Sequence, residues 1–189
     1  MTVAKGDTFR YFFVRGRITS AVAASRKSDG KLVYAALGDD ESQLLQHLHE
    51  DFKKLYRRLD RAFELTEAED GEDAGSGVLT EQYKQWLDGT AWPAIRHDLI
   101  FGTPFQHTVW AQMLKLHRGQ TTTYSALAKG IGRPTASRAV ASACKANEIA
   151  LIVPCHMVLN SKLGISGYKW GGPVLKRKLI ARETQPHGM

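Results

Sequence analysis

The sequence predicts an α+β protein, with strands and one long helix first and a mostly helical second half. Three observations point there. Short apolar runs broken by turn residues fill roughly the first 40 positions, the pattern of paired strands. From Thr103 onward, apolar residues recur at helical spacing. The charge also changes sign between the halves. Residues 1–95 hold 13 Lys+Arg and 16 Asp+Glu, whereas residues 96–189 hold 13 Lys+Arg and 3 Asp+Glu. The 189 residues suffice for one domain or two small ones. The charge shift favours two: an acidic N-terminal unit, 1–92, and a basic C-terminal unit, 103–189, joined by a connection at 93–102. The basic half suits a polyanion such as nucleic acid, with solubilising surface charge as the plainer alternative.

In the N-terminal unit, Phe9–Val14 and Ile18–Ala24 read as strands, Ser28–Lys31 as a turn, and Leu32–Leu37 as a third strand. Asp39, Asp40 and Glu41 then open a helix whose N-terminus their charge suits. Leu44, Leu45, Leu48, Phe52 and Leu55 mark its apolar face. Glu67–Gly77 is acidic and glycine-rich and reads as a mobile surface loop. A short helix is expected at Tyr83–Leu87. No catalytic pattern stands out in this half.

The C-terminal unit opens with Thr103-Pro104, a cap and a helix-starting proline. Phe105, Val109, Trp110, Met113 and Leu116 supply the apolar stripe, and Gly119 ends the helix. Thr123 precedes a short helix that ends near Gly130. Gly132-Arg133-Pro134 makes a turn, and Thr135 is expected to cap a second helix from about Ala136 to Asn147. Short helix, tight turn and second helix make the helix-turn-helix layout. The second helix is rich in small residues (Ala136, Ala139, Ala141, Ala143, Ala146), which permit close approach to a neighbouring helix or a groove. Arg138 stands in its first turn, where the helix dipole disfavours a cation, so a partner for it is expected.

The chemistry centres on Pro154-Cys155-His156, after the apolar run Ile149–Val153. A thiol is nucleophilic only as thiolate, and with a free pKa of about 8.5 it needs a base or a nearby cation near pH 7. A Cys-His dipeptide alone is a weak signal, and without its neighbours it favours a buried structural cysteine. The only other cysteine is Cys144, too few for a disulfide framework. The seven histidines are scattered, and no metal site is expected. No apolar run approaches the roughly 20 residues of a membrane span. Met1–Asp7 lacks the apolar core of a signal peptide, so a protein that is not secreted is expected.

Over about half the chain, an ordered set of residues resembles the O6-alkylguanine-DNA alkyltransferases, the methylated-DNA–protein-cysteine methyltransferases. The set includes Gly102–Gln106, Val109-Trp110, Gly119, Thr123-Tyr124, Gly132–Pro134, Ser137–Val140, Asn147, Pro154–His156, Gly167–Gly171, Lys176, Leu179 and Glu183. The resemblance implies a ribonuclease H-like N-terminal domain and a C-terminal domain with a winged helix-turn-helix-like motif. It implies irreversible transfer of an alkyl group from O6 of guanine in DNA to Cys155, once per chain and without a cofactor. Cys155, a water, His156 and Glu183 would form a relay, with Tyr124 and Asn147 assisting. The helix from Ala136 would enter the minor groove of double-stranded DNA with Arg138 filling the place of the flipped base. Gln106, Ser125, Arg133, Ala136, Ser137 and Ser161 would contact DNA alongside Tyr124. Cys144, Val158, Ser166 and Tyr168 would line the base pocket.

The protein is expected to be a monomer, with cooperative assembly on DNA left open. Its expected place is the nucleus in a eukaryote, and the cytoplasm or nucleoid otherwise. Two departures from the family pattern lie beside the site: Met157 in place of an arginine, and Glu148 in place of a proline. The alternatives are a non-catalytic alkyltransferase-like lesion binder, a helix-turn-helix regulator and a cysteine hydrolase.

Overall fold

The computed structural model describes residues 6–68, 74–165 and 167–184. The chain divides into two compact units, Met1–Phe101 and Gly102–Met189. The first unit is a four-stranded sheet with helices. Strands β1 (Asp7–Arg15), β2 (Ser20–Arg26) and β3 (Leu32–Gly38) pair antiparallel in sequence order, and β4 (Phe63–Glu67) pairs parallel to β1. The sheet order is β3-β2-β1-β4.

Strands β2 and β3 are buried on both faces, which explains their runs of Ala, Val and Leu where alternation would mark a half-exposed sheet. Helix α1 (Glu41–Leu59) begins at Asp40, whose carboxylate accepts from Gln43 N at 3.0 Å. Its buried face, Leu44, Leu48, Phe52, Leu55 and Tyr56, packs on β2 and β3. Phe52 is the centre of an aromatic cluster. Its ring lies edge-on to Phe9 at 5.0 Å and to Phe101 at 5.3 Å, with Phe63 at 5.6 Å.

The structure differs from the sequence reading in three places here. Strand β4 was not expected. Its alternating Phe63 and Leu65 give only a short signal beside three polar residues. Helix α2 (Ala74–Asp88) begins well before Tyr83 and takes in Ala74–Gly77, which the sequence assigns to the loop. The buried residues Leu79, Tyr83 and Leu87 supply the helical period that glycines 75 and 77 obscure. Residues 69–73 of that loop lie outside the described residues. Finally, the stretch before Phe101 joins the sheet. Leu32 N donates to Arg96 O and Asp98 N to Leu32 O, both at 2.9 Å. Buried Asp98 accepts from Arg26 at 2.6 Å.

In the second unit, helix α3 (Pro104–Met113) starts with a capping box: Thr103 accepts from Gln106 N, and the Gln106 side chain accepts from Thr103 N. It ends at Met113, short of Gly119. Helix α4 (Tyr124–Gly130) is capped by Thr123, which accepts from Ala126 N at 3.1 Å. Helix α5 (Ser137–Lys145) has Ala136 at its N-cap and no side-chain cap, so Thr135 does not hold the role expected of it. Trp110 Nε1 donates to Ala143 O at 2.8 Å and ties α3 to α5. Two short strands, β5 (Thr122–Thr123) and β6 (Val158–Leu159), pair in parallel, and α6 (Gly172–Thr184) closes the unit. No helix among the described residues is long and apolar enough to cross a membrane.

Replacing Phe52 by alanine removes the ring common to these aromatic contacts. It should cost the first unit about 3–5 kcal/mol. Urea unfolding checks this, and a loss below about 1 kcal/mol would show that the cluster repacks.

Candidate active site

The run Ile149–Val153 is a buried turn rather than a strand. Each of its side chains is at most 7% exposed, and Leu151 adopts φ +68°. Buried backbone groups need partners, and here one side chain supplies several. Asn147, 1% exposed, accepts from Ile149 N at 2.9 Å. Its Nδ2 lies 2.9 Å from Val153 O, 3.3 Å from Ile149 O and 3.2 Å from the Sγ of Cys155. The turn thus delivers Cys155 to a single 3-10 turn, Cys155–Met157.

Cys155 is 5% exposed and His156 fully buried. Nε2 of His156 lies 2.6 Å from Oε1 of Glu183 on α6. Arg182 donates to the same oxygen at 3.3 Å. Glu183 is 8% exposed, so it is no surface helix charge. Leu175, Lys176, Leu179 and Glu183 form one buried face of α6. Gly119 fits against the end of this helix. Its φ is +73°, and a Cβ there would stand 2.8 Å from the Glu183 carbonyl oxygen.

The electrostatics follow from burial. Burial pushes the Cys155 thiol above its ordinary value, offset only in part by the Asn147 hydrogen bond and by Lys176 and Lys169. Burial likewise pushes the Cys144 thiol up, aided by Cys155. Burial would raise the Glu183 carboxyl. The His156 hydrogen bond and charge, with Arg182, outweigh it and hold the group below the usual glutamate value. With Glu183 ionised, Nε2 of His156 carries the hydrogen. That leaves Nδ1 as the basic nitrogen, a buried atom with no hydrogen-bond partner among the described residues.

A cavity of about 330 Å³ opens on the thiol. Tyr124, Ala141, Cys144, Lys145, Cys155, Gly167, Tyr168, Lys169 and Lys176 line it. Of the pocket residues expected from the sequence, Cys144 and Tyr168 line it. Val158 does not: it is fully buried, and its carbonyl accepts from Lys176 Nζ at 2.6 Å. Ser166 lies outside the described residues. Lys176 had been given no role. It is 1% exposed, and burial lowers its pKa against the pull of the two thiols. The sequence signal for it was a lysine in step with Leu175, Leu179 and Glu183 on a helix. Met157 is 1% exposed, so the core takes an apolar side chain where the family pattern has arginine.

The residues expected at DNA are more open. Arg138, in the first turn of α5, and Ser161 are exposed. So is Arg133, whose guanidinium lies 5.5 Å from the Phe105 ring centre. Ala136 and Ser137 are half-buried at the N-terminus of α5. Ser125 Oγ is 3.0 Å from Thr123 Oγ1, within the α4 cap. Gln106 spends its side-chain oxygen on the α3 cap, a structural role the sequence reading missed. Among the described residues, no three His, Cys, Asp or Glu gather closely enough to hold a metal ion.

Glu183 makes the unit sensitive to acid. Its carboxyl is depressed in the fold, so its contribution is complete above the ordinary glutamate value and is lost as pH falls through the lower folded value. Glu183→Gln should flatten the decline in stability below about pH 4.5, the unfolded range for glutamate. Melting temperature against pH checks this, and a decline as steep as in the parent would contradict it.

The chain has relatives among known proteins. The sequence pattern of the 6-O-methylguanine DNA methyltransferase DNA binding domain matches residues 104–185. A Saccharomyces cerevisiae methylated-DNA–protein-cysteine methyltransferase is 36% identical over 179 residues, covering 93% of each chain. The crystal structure of Mycobacterium tuberculosis O6-methylguanine methyltransferase superposes with a TM-score of 0.70 at 28% identity, covering 93% of each chain. The M. tuberculosis OGT crystallised in complex with DNA gives 0.68 at 28% identity, covering 94% of this chain and 92% of that one. With a buried thiol beside a histidine–glutamate pair and a likeness that runs through both units, the chain belongs to the methylated-DNA–protein-cysteine methyltransferase family.

Proposed function

We propose that the chain repairs DNA by direct reversal, moving the alkyl group of an O6-alkylguanine onto its own Cys155. The observation that carries this reading is the Cys155–His156–Glu183 arrangement at the cavity, in a chain of this family. The thiol rests protonated, so it must lose its proton as it reacts. Nδ1 of His156 is the base, reached through one bridging water, and Glu183 holds the ring and steadies the imidazolium. Sulfur attacks the alkyl carbon, the S–C bond forms, and the C–O bond to guanine breaks. The base leaves with its electron pair and regains a proton with help from Tyr124. The atoms balance without a cofactor. The thioether has no route back to a thiol, so each chain acts once.

A base stacked in a duplex cannot reach a buried thiol, so it must leave the helix at a cost of a few kcal/mol. We read α4, its turn and α5 as the helix-turn-helix, with Asn160–Gly164 as its wing and the first unit as ribonuclease H-like. Small residues let α5 enter the minor groove, and exposed Arg138 fills the vacated stack. Arg133, Ser125 and Ser161 meet phosphates, with Gln106, Ala136 and Ser137 alongside. The protein acts as a monomer on double-stranded DNA, in the nucleus if its source is a eukaryote.

Intact mass after reaction with an O6-methylguanine duplex or free O6-benzylguanine should show one alkyl group per chain, on Cys155. Tight DNA binding without an adduct would indicate a lesion binder instead, and repeated turnover would contradict the single-use mechanism. Arg138→Ala should slow the duplex reaction at least tenfold more than the free-base reaction, as expected when a roughly 1.4 kcal/mol contribution to extrusion is lost. Equal losses on both substrates would remove Arg138 from the flipping step.

A further inference from the structure

Glu148 directly follows Asn147, the donor to the thiol, and its carboxylate pairs with the ammonium of Lys169. The two side chains are 14% and 26% exposed, so the pair sits at a rim where solvent screens it only in part. Lys169 Nζ also stands 4.1 Å from the centre of the Trp170 ring, and Trp170 is buried. Lys169 lines the same cavity as Cys155. One ion pair therefore joins the turn that positions the thiol to the Gly167–Lys169 part of the cavity lining. Glycine recurs along that lining. A Cβ on Gly167 would meet nothing within 4 Å, and the segment runs into Gly171 and Gly172 at φ +115° and +69°.

We propose that the Glu148–Lys169 ion pair is a specificity latch, which fixes the Gly167–Lys169 wall beside the thiol and so limits the bulk of the alkyl group that reaches Cys155. The inference rests on the alkyl-transfer reading. Glu148 is a positioning residue that acts through Lys169. A methyl group asks nothing of the wall, whereas a benzyl group needs it to yield. The cavity, at about 330 Å³, is near the small end for ligand sites.

The test is the ratio of single-turnover rates on two duplexes of one sequence, carrying O6-benzylguanine or O6-methylguanine at the same position. DNA binding then cancels. Glu148→Gln and Lys169→Gln should each raise the benzyl-to-methyl ratio about fivefold, the scale of one ion pair near a surface. The double variant should go no further than either single one, because a single interaction has been removed. Lys169→Arg keeps the charge and should keep the parent ratio. A purely structural role would lower both rates alike and leave the ratio unmoved. An unchanged ratio in both single variants, or single effects that multiply in the double, overturns the latch. Melting midpoints check folding. Should Glu148→Gln melt early, Glu148→Asp is the second variant. Its shortened reach should still raise the ratio, and a parent ratio there overturns the latch as well. Absence of any adduct on the parent protein from either duplex would instead refute alkyl transfer itself.

Discussion

The active site depends on one buried amide. Ile149–Val153 is an apolar turn with a left-handed leucine at its centre, a conformation that costs energy and persists only where its surroundings impose it. Nothing in five aliphatic side chains can satisfy the turn's backbone groups. The backbone meets part of the need itself, Ile152 N donating to Ala150 O and Val153 N to Ile149 O. Asn147 adds to it by accepting from Ile149 N and donating to Val153 O, while the same NH₂ group reaches the Cys155 sulfur. Local folding and reactivity therefore share a part. The turn cannot relax without moving the nucleophile, and the donor that steadies the turn also favours the thiolate.

Around that amide, burial opposes reaction and specific partners oppose burial. The thiol is pushed up by desolvation, which keeps it protonated and inert toward chance electrophiles. His156 and Glu183 are a second buried polar pair, held together at 2.6 Å and steadied by Arg182. Lys176, buried and bonded to the Val158 carbonyl, adds a positive charge close to both thiols. Each group would be costly alone. Together they leave a protonated thiol among paired charges that can part with one proton when a substrate arrives, which suits a protein that reacts once.

Much of this was legible in the sequence. The strands β1 to β3, the capped starts of α1, α3 and α4, and the α4–turn–α5 arrangement follow from short apolar runs between turn residues, helical spacing and capping residues, all local rules. The adjacency of Cys155 and His156 is plain in the sequence itself. What escaped was non-local or locally contradictory. Strand β4 has two inward side chains and depends on β1 for its pairing. Helix α2 starts with glycines that propensity assigns to a loop. Glu183 reads as an ordinary surface charge until α6 is placed against His156, and only the family pattern singled it out. Glu148 read as a stray acid near the site, because its partner Lys169 lies 21 residues away.

The most direct measurement of the central claim is the rate of Cys155 alkylation by free O6-benzylguanine in Asn147→Leu, followed together with its unfolding. Leucine keeps the branch at Cγ and offers no hydrogen bond, and the free base sets DNA binding aside. The expected result is destabilisation by about 1–3 kcal/mol, chiefly from the lost bond to the buried Ile149 N–H, with alkylation slowed at least tenfold. Alkylation at the parent rate in a folded Asn147→Leu protein would contradict the claim that this amide holds both the turn and the thiol.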